Sequence, residues 1–259
     1  MNKILVTGAS GQLGLTLKNL SLNTNYQWVF TTKEKVDITD INSISTFFAN
    51  KKFDFCVNCA AYTNVEGAES EIDESNQVNV EGVQNLVIAC NLNQTILIHI
   101  STDYVFDGLK KTPYIESDPT APLNQYGKSK LLGELQILQN SNSFYIIRTS
   151  WLYSKKISAS FYSSILTKAK KGDSLTVVND QKGTPTDAEN LANFILKIIE
   201  KQPEKGIYHF SDEKIMSWFD LAVQILKEHG LDNEIIPIKT TKTKAVRPKY
   251  TPLISTKMF

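Results

Sequence analysis

Lys3-Ile4-Leu5-Val6-Thr7-Gly8-Ala9-Ser10-Gly11-Gln12-Leu13-Gly14 opens the chain, and its reading decides the fold. Lys3 to Thr7 is a short apolar and β-branched run, the pattern of a strand buried on both faces. The glycines that follow let a tight turn bring backbone N–H groups against a pyrophosphate at the start of a helix, where unpaired N–H groups and the helix dipole favour an anion. Working outward, the same alternation recurs. Strands are expected at 3–7, 26–31, 54–59, 95–100 and 143–148. Helices are expected between them at about 12–22, 40–50, 75–92 and 125–140, the second opening on Asp40 as N-cap.

Strand and helix in strict alternation argue for α/β architecture: a doubly wound Rossmann-type parallel sheet over residues 1–150. After Trp151 the pattern loosens. A helix near 158–170, a strand near 174–178, a helix from Thr186 to Glu200, a strand from Gly206 to Phe210 and a helix from Ser217 to Glu228 predict a smaller C-terminal substrate-binding lobe, 151–259. It should lie over the carboxyl edge of the sheet, where ligand crevices form, and its elements can interleave with the first domain.

With 259 residues and 41% hydrophobic content, the chain can bury a substantial core. A net charge of +1 points away from nucleic acid and from acidic membrane surfaces. The sequence carries neither an apolar run of the roughly 18 to 20 residues that spans a bilayer nor a signal-like prelude before Lys3, so a cytoplasmic protein without a membrane partner is expected. Cys56 and Cys59 have the spacing of a redox or metal pair, but they fall in a strand-like run and read as small core residues, as does Cys90. His99, His209 and His229 are scattered and make no metal site.

Tyr126-Gly127-Lys128-Ser129-Lys130, downstream of Ser101-Thr102-Asp103-Tyr104, carries the chemistry. A tyrosine and a lysine at this spacing lie about 40° apart on one helix face. A phenol with a reference pKa of about 10 transfers protons poorly near neutrality unless a cation supports its phenolate, and Lys130 is the candidate cation. Asn79, in a helix, reads either as a brace for active-site backbone or as an ordinary polar helix residue.

Residues 7–14 (TGASGQLG), 58–66 (NCAAYTNVE), 101–108 (STDYVFDG), Tyr126 to Lys130, 148–153 (RTSWLY), 180–186 (DQKGTPT) and Arg247-Pro248-Lys249-Tyr250 together resemble the dTDP-4-dehydrorhamnose reductase family of extended short-chain dehydrogenases/reductases. The resemblance covers nearly the whole chain. It implies NAD(P)H-dependent reduction of the C4 ketone of dTDP-4-dehydro-L-rhamnose to dTDP-L-rhamnose for cell-surface polysaccharide. By motif position, Tyr126 would protonate the developing alkoxide, Lys130 would hold the nicotinamide ribose and support the phenolate, and Thr102 would hydrogen-bond the carbonyl oxygen. Cofactor binding would involve Gly8, Gly11, Gln12, Leu13, Gly14, Asp37, Ile38, Ala60, Ala61, Tyr62 and Lys130. The dTDP-linked 4-keto-6-deoxy sugar would meet Thr63, Val65, Thr102, Asp103, Tyr104, Tyr126, Trp151 and, at its diphosphate, Arg247.

Thr31-Thr32-Lys33-Glu34 follows the second strand where a strict NAD fold carries an acidic residue. Thr32 and Lys33 suit a 2′-phosphate and favour NADPH, while Glu34 turned inward would favour NADH. The remaining basic residues near Arg247, namely Lys239, Lys242, Lys244 and Lys249, read as a solvated face. Some family members build a magnesium-mediated dimer contact after the glycine loop. Leu15-Thr16-Leu17 offers no carboxylate there, so no metal is expected and the oligomeric state, a homodimer included, stays open. The chain has Ile254-Ser255-Thr256 where the family tends to be acidic and stops at Phe259 before a final helix, which predicts a shortened lobe and leaves the exact sugar open.

Three alternatives follow. The substrate could be another 4-keto-6-deoxy nucleotide sugar. A sugar dehydratase of the same superfamily would use Asp then Glu after the threonine, whereas this chain reads Asp103 then Tyr104. A non-catalytic regulatory subunit like that of methionine adenosyltransferase would keep the fold and bind a partner instead.

Overall fold

The computed structural model describes residues 1–49, 51–157, 160–257 and 259. In chain order the N-terminal part runs β1 (Lys3–Thr7), α1 (Gln12–Ser21), β2 (Gln27–Phe30), α2 (Ile41–Phe48), β3 (Phe55–Asn58), α3 (Val65–Ala68), α4 (Ile72–Asn76), a π-helical turn (Gln77–Glu81) and α5 (Gly82–Leu92). It continues with β4 (Ile96–Thr102), a 3-10 turn (Asp103–Val105), α6 (Gln125–Asn140) and β5 (Phe144–Thr149). The rest comprises β6 (Leu152–Tyr153), α7 (Phe161–Lys170), β7 (Leu175–Val178), β8 (Lys182–Gly183), β9 (Thr186–Asp187), α8 (Ala188–Lys201), β10 (Gly206–His209), β11 (Met216–Ser217), α9 (Trp218–Glu228) and β12 (Ile235–Ile238).

The central sheet has the order β10-β5-β4-β3-β1-β2, and every pairing in it is parallel. Side chains alternate across its faces. Leu5, Cys56, Leu97 and Ile146 point to the layer that holds Ile44 of α2 and Val83 and Leu86 of α5. Ile4, Val6, Val57, Ile98 and Ile147 point to the opposite layer, with Leu13 and Leu17 of α1 and Leu191, Ile195 and Ile198 of α8. Each such side chain contributes about 1.5–3 kcal/mol of burial. β10, from the C-terminal half, completes the sheet beside β5, so the two halves interleave. A separate core under the C-terminal lobe joins Ile165 of α7, Leu175 of β7 and Leu221 and Ile225 of α9.

The helix expected at 75–92 is interrupted by the π turn, and β12, which pairs with β7, was not expected. Position 50 of the second expected helix and positions 158 and 159 of the helix expected at 158–170 lie outside the described residues. Among the described residues no helix is long and apolar enough to cross a membrane.

Candidate active site

From β1 the chain crosses to β2 on one side and, after α2, to β3 on the other, which makes the carboxyl ends of β1 and β3 the switch point where ligands bind. Gly8 adopts φ 63°, and a Cβ there would come within 2.5 Å of the Ala60 backbone nitrogen, so only glycine lets the two turns meet. α1 starts at this junction with Gly11 as N-cap and, among the described residues, no side chain capping it. Its first N–H groups are therefore free for an anion. The Gln12 amide nitrogen is buried without a hydrogen-bond partner among the described residues, and Gln12 lines the cleft. An unsatisfied donor beside an uncapped helix start fits a phosphate-bearing ligand.

Two cavities meet at Gly11, Cys59, Ala60 and Ala61. One, of about 440 Å³, is walled by Gln12, Leu13, Asn58, Thr63, Thr102, Tyr126, Lys130 and Trp151 among others. The other, of about 320 Å³, takes in Gly8, Lys33, Asp37, Ile38 and Tyr62. Lys33 thus borders the second cavity, while Glu34 is exposed. Asp37 turns its carboxylate onto Thr39, whose backbone N–H and hydroxyl donate to it at 2.9 and 2.8 Å. Gly14 packs against Ala9 behind the turn rather than lining either cavity.

Tyr126 sits in the first turn of α6, half-buried at the cleft wall. Asn124 caps that helix by accepting from the Gly127 N–H at 2.8 Å. A Cβ on Gly127 would lie 2.2 Å from the Tyr104 carbonyl oxygen, so α6 starts directly against the 3-10 turn. Burial pushes the Tyr126 phenol above its ordinary value, Asp103 and Tyr104 add to this, and Thr102 opposes it. Lys130 is buried and donates to the Ile100 carbonyl at 2.7 Å. Burial pulls its ammonium down to about 8, against Glu134 and Cys59.

Asp103 is buried and accepts from the hydroxyls of Thr251 at 2.5 Å and Thr102 at 3.2 Å. Burial nevertheless raises its carboxyl to about 7. Tyr104 stands edge-on to Tyr126, ring centroids 5.8 Å apart, and contacts Arg247 Nη1 at 3.3 Å. Arg247 pairs with Glu66 at 2.9 Å. Thr63, Thr102, Tyr126 and Trp151 line the first cavity, whereas Val65, Asp103, Tyr104 and Arg247 line neither; Asp103 and Tyr104 are buried, and Val65 and Arg247 are partly exposed. Trp151 has φ 48° and stacks flat on Trp218, centroids 3.7 Å apart.

Asn79 spans the π turn to the site: its oxygen accepts from the Tyr62 N–H at 2.9 Å, and its amide donates to the Tyr62 carbonyl at 3.1 Å and the Ser129 hydroxyl at 2.9 Å. Of the two readings of Asn79, the bracing one describes these contacts. Sequence reasoning missed Trp218, which no motif links to Trp151, and Asn58, Ser101, Ser150 and Leu152 as cleft residues. Cys56 and Cys90 are buried, whereas Cys59 borders both cavities and is more than core filling.

A doubly wound sheet with a cleft at its switch point, an uncapped helix start and a tyrosine–lysine pair defines a nucleotide-binding α/β protein equipped for proton transfer. The chain belongs to the RmlD family, since the family model described as RmlD substrate binding domain matches residues 1–259. It is 39% identical to the dTDP-4-dehydrorhamnose reductase of Aggregatibacter actinomycetemcomitans, covering 96% of this chain and 87% of that one. It is 38% identical to the spore coat polysaccharide biosynthesis protein SpsK of Bacillus subtilis, covering 98% and 89%. The dTDP-4-dehydrorhamnose reductase of Bacillus anthracis, solved in complex with NADP, superposes with a TM-score of 0.94 at 34% identity, covering 98% of this chain and 90% of that one.

Proposed function

We propose that the chain is an NADPH-dependent reductase that converts dTDP-4-dehydro-L-rhamnose to dTDP-L-rhamnose. The observation that carries this reading is that Thr102, Tyr126 and Lys130 share one cleft wall with the glycine turn and the uncapped start of α1. Kinship to reductases named for this sugar supports the substrate, and kinship to SpsK supports a polysaccharide as the destination.

Bound NADPH supplies the hydride. The N-terminal N–H groups of α1 hold its pyrophosphate, and Lys33, at the rim of the second cavity, suits a 2′-phosphate. Lys130 orients the ribose. Thr102 holds the ketone oxygen, and Tyr126 gives its phenolic proton to the alkoxide as negative charge develops there. The high phenol pKa favours the protonated donor form before reaction. Trp151, stacked on Trp218, offers a flat apolar face to the deoxysugar ring. Residues 151–259 serve as the substrate lobe, and Arg247 reaches the diphosphate only if its pairing with Glu66 opens.

The test is oxidation of NADPH and NADH with dTDP-4-dehydro-L-rhamnose and a panel of other 4-keto nucleotide sugars. Tyr126→Phe should bind NADPH normally and lose turnover by about 100-fold or more. Wild-type rates in that variant would overturn the assignment, and cofactor binding without reduction of any ketone would favour a regulatory role.

A further inference from the structure

A chain of polar side chains crosses the sheet beneath the site. Asn58, at the end of β3, accepts the Ala60 N–H at 3.1 Å and the Thr7 hydroxyl at 2.7 Å, both on Oδ1. A backbone N–H can only donate, so this atom is the amide oxygen and the amide nitrogen must face the other way. That nitrogen lies 3.0 Å from His99 Nδ1 on β4. Amide N–H groups also only donate, so His99 Nδ1 carries no hydrogen and accepts. His99 is wholly buried, and burial by itself disfavours an imidazolium and holds its pKa well below the ordinary value, so the ring is neutral. A neutral ring with a bare Nδ1 carries its hydrogen on Nε2. Nε2 faces Lys130 Nζ at 3.3 Å. An ammonium has no lone pair to receive that hydrogen, and only the neutral amine has one.

We infer that Thr7, Asn58 and His99 form a one-way donor chain that fixes His99 as its Nε2–H tautomer and presents a donor, not an acceptor, to Lys130. His99 is thereby a positioning residue that favours the neutral amine of Lys130. With its lone pair turned to His99, the amine keeps its own N–H for the Ile100 carbonyl. The other groups facing Lys130 are Glu134 and Tyr126 on its own helix and Cys59 beyond β3. Glu134 is already held by Arg148 Nη2 at 2.7 Å and the Ser101 hydroxyl at 2.5 Å, and burial keeps the Cys59 thiol protonated. Asp103 acts on Tyr126 rather than on Lys130. The lysine is therefore a group that gains and loses its proton near neutral pH, not a fixed cation. The catalytic consequence rests on the reductase reading above, while the tautomer does not.

The experiment is NMR on the cofactor-free protein: ¹⁵N shifts of the histidine rings and a ¹³Cε titration of Lys130. His99 should show an unprotonated Nδ1 and a protonated Nε2, with Lys130 titrating at about 8. Asn58→Asp puts a carboxylate against Nδ1, which then takes the hydrogen. Nε2 becomes an acceptor for the ammonium, and the Lys130 midpoint should rise by about one unit or more. His99→Gln, whose amide oxygen can turn to accept from Lys130 without adding charge, should raise it as well and separates the tautomer from the new charge. In both variants the alkaline limb of the NADPH-oxidation profile should move with Lys130. A wild-type His99 protonated on Nδ1 or on both nitrogens overturns the inference, as does a Lys130 midpoint that neither variant moves. A correct tautomer with no ketone reduction would instead count against the reductase reading alone.

Discussion

Arg148 and Glu134 form the one buried ion pair among the described residues, with side chains 4% and 0% exposed. Arg148 Nε and Nη2 clasp the two carboxylate oxygens at 3.0 and 2.7 Å, and the guanidinium lies over the Phe106 ring at 5.2 Å. Glu134 stands one turn beyond Lys130, and Arg148 immediately precedes the cleft residues Thr149, Ser150 and Trp151, so the pair fixes α6 to β5 beside the chemistry. Removing one partner strands the other charge in a dry interior. Glu134→Leu should lower stability by about 3–5 kcal/mol in urea unfolding, and adding Arg148→Met should restore most of it. If the double variant is as unstable as the single one, packing rather than the uncompensated charge dominates. Arg148 was visible in the sequence as part of a motif, but a motif says nothing about partners. Glu134 sits 14 positions away on another element, and only the parallel register of β4 and β5 brings Ser101 and Arg148 together over it.

The elements most legible in the sequence were those whose apolar runs are nearly continuous, β1, β3, β4 and β5, because strands buried on both faces leave that signature. β12 was missed because Pro237 demotes Ile235 to Ile238 as a strand, and the proline is tolerated there because, among the described residues, β12 pairs only with β7. The π turn was missed because its wider hydrogen-bond register leaves the apolar pattern of the 75–92 segment nearly intact. Its effect is to carry Asn79 to Tyr62 and Ser129, and the Asn79 carbonyl so close to α6 that a Cβ on Gly133 would lie 2.2 Å from it. Backbone on both sides leaves little room to yield. Gly133→Ala should therefore cost about 1–3 kcal/mol in thermal unfolding despite the better helix propensity of alanine, and should slow turnover by displacing Lys130. An unchanged or raised melting temperature would mean that α6 slides without cost.

At the scale of the whole molecule, acids near the sheet hold the C-terminal segment in place, an arrangement that sequence could not reveal because each partner is far away in the chain. Glu66 accepts from the backbone of Lys244 and pairs with Arg247, Asp103 accepts from Thr251, and Glu116 accepts from Ser255, Thr256 and the His209 N–H. Their protons determine how folding responds to acid. Hydrogen bonds from Ser255, Thr256 and His209 hold Glu116 down to about 2 despite partial burial, so its contribution is present above the ordinary carboxylate range and is lost as pH falls through about 2. Burial lowers His209 to about 4 and His99 well below its usual value, so both contribute stability above about 6.5 that is lost on acidification. Asp103 has the opposite sign: its folded value, raised to about 7, means that the native state binds a proton the unfolded state lacks, so its contribution is fully present below about 4 and is lost as pH rises through about 7. Between pH 6 and 5, Asp103 thus offsets one of the two histidines. Asp103→Asn removes that offset, and the unfolding free energy should then fall more steeply over this interval, by about 1.4 kcal/mol per pH unit more than in the wild type. The comparison is one of slopes, so it survives any uniform loss from the altered contacts to Thr251 and Thr102. Parallel pH dependences for the two proteins, measured by urea unfolding, would mean that Asp103 is ionised in the native state and that Thr251 and Thr102 outweigh its burial.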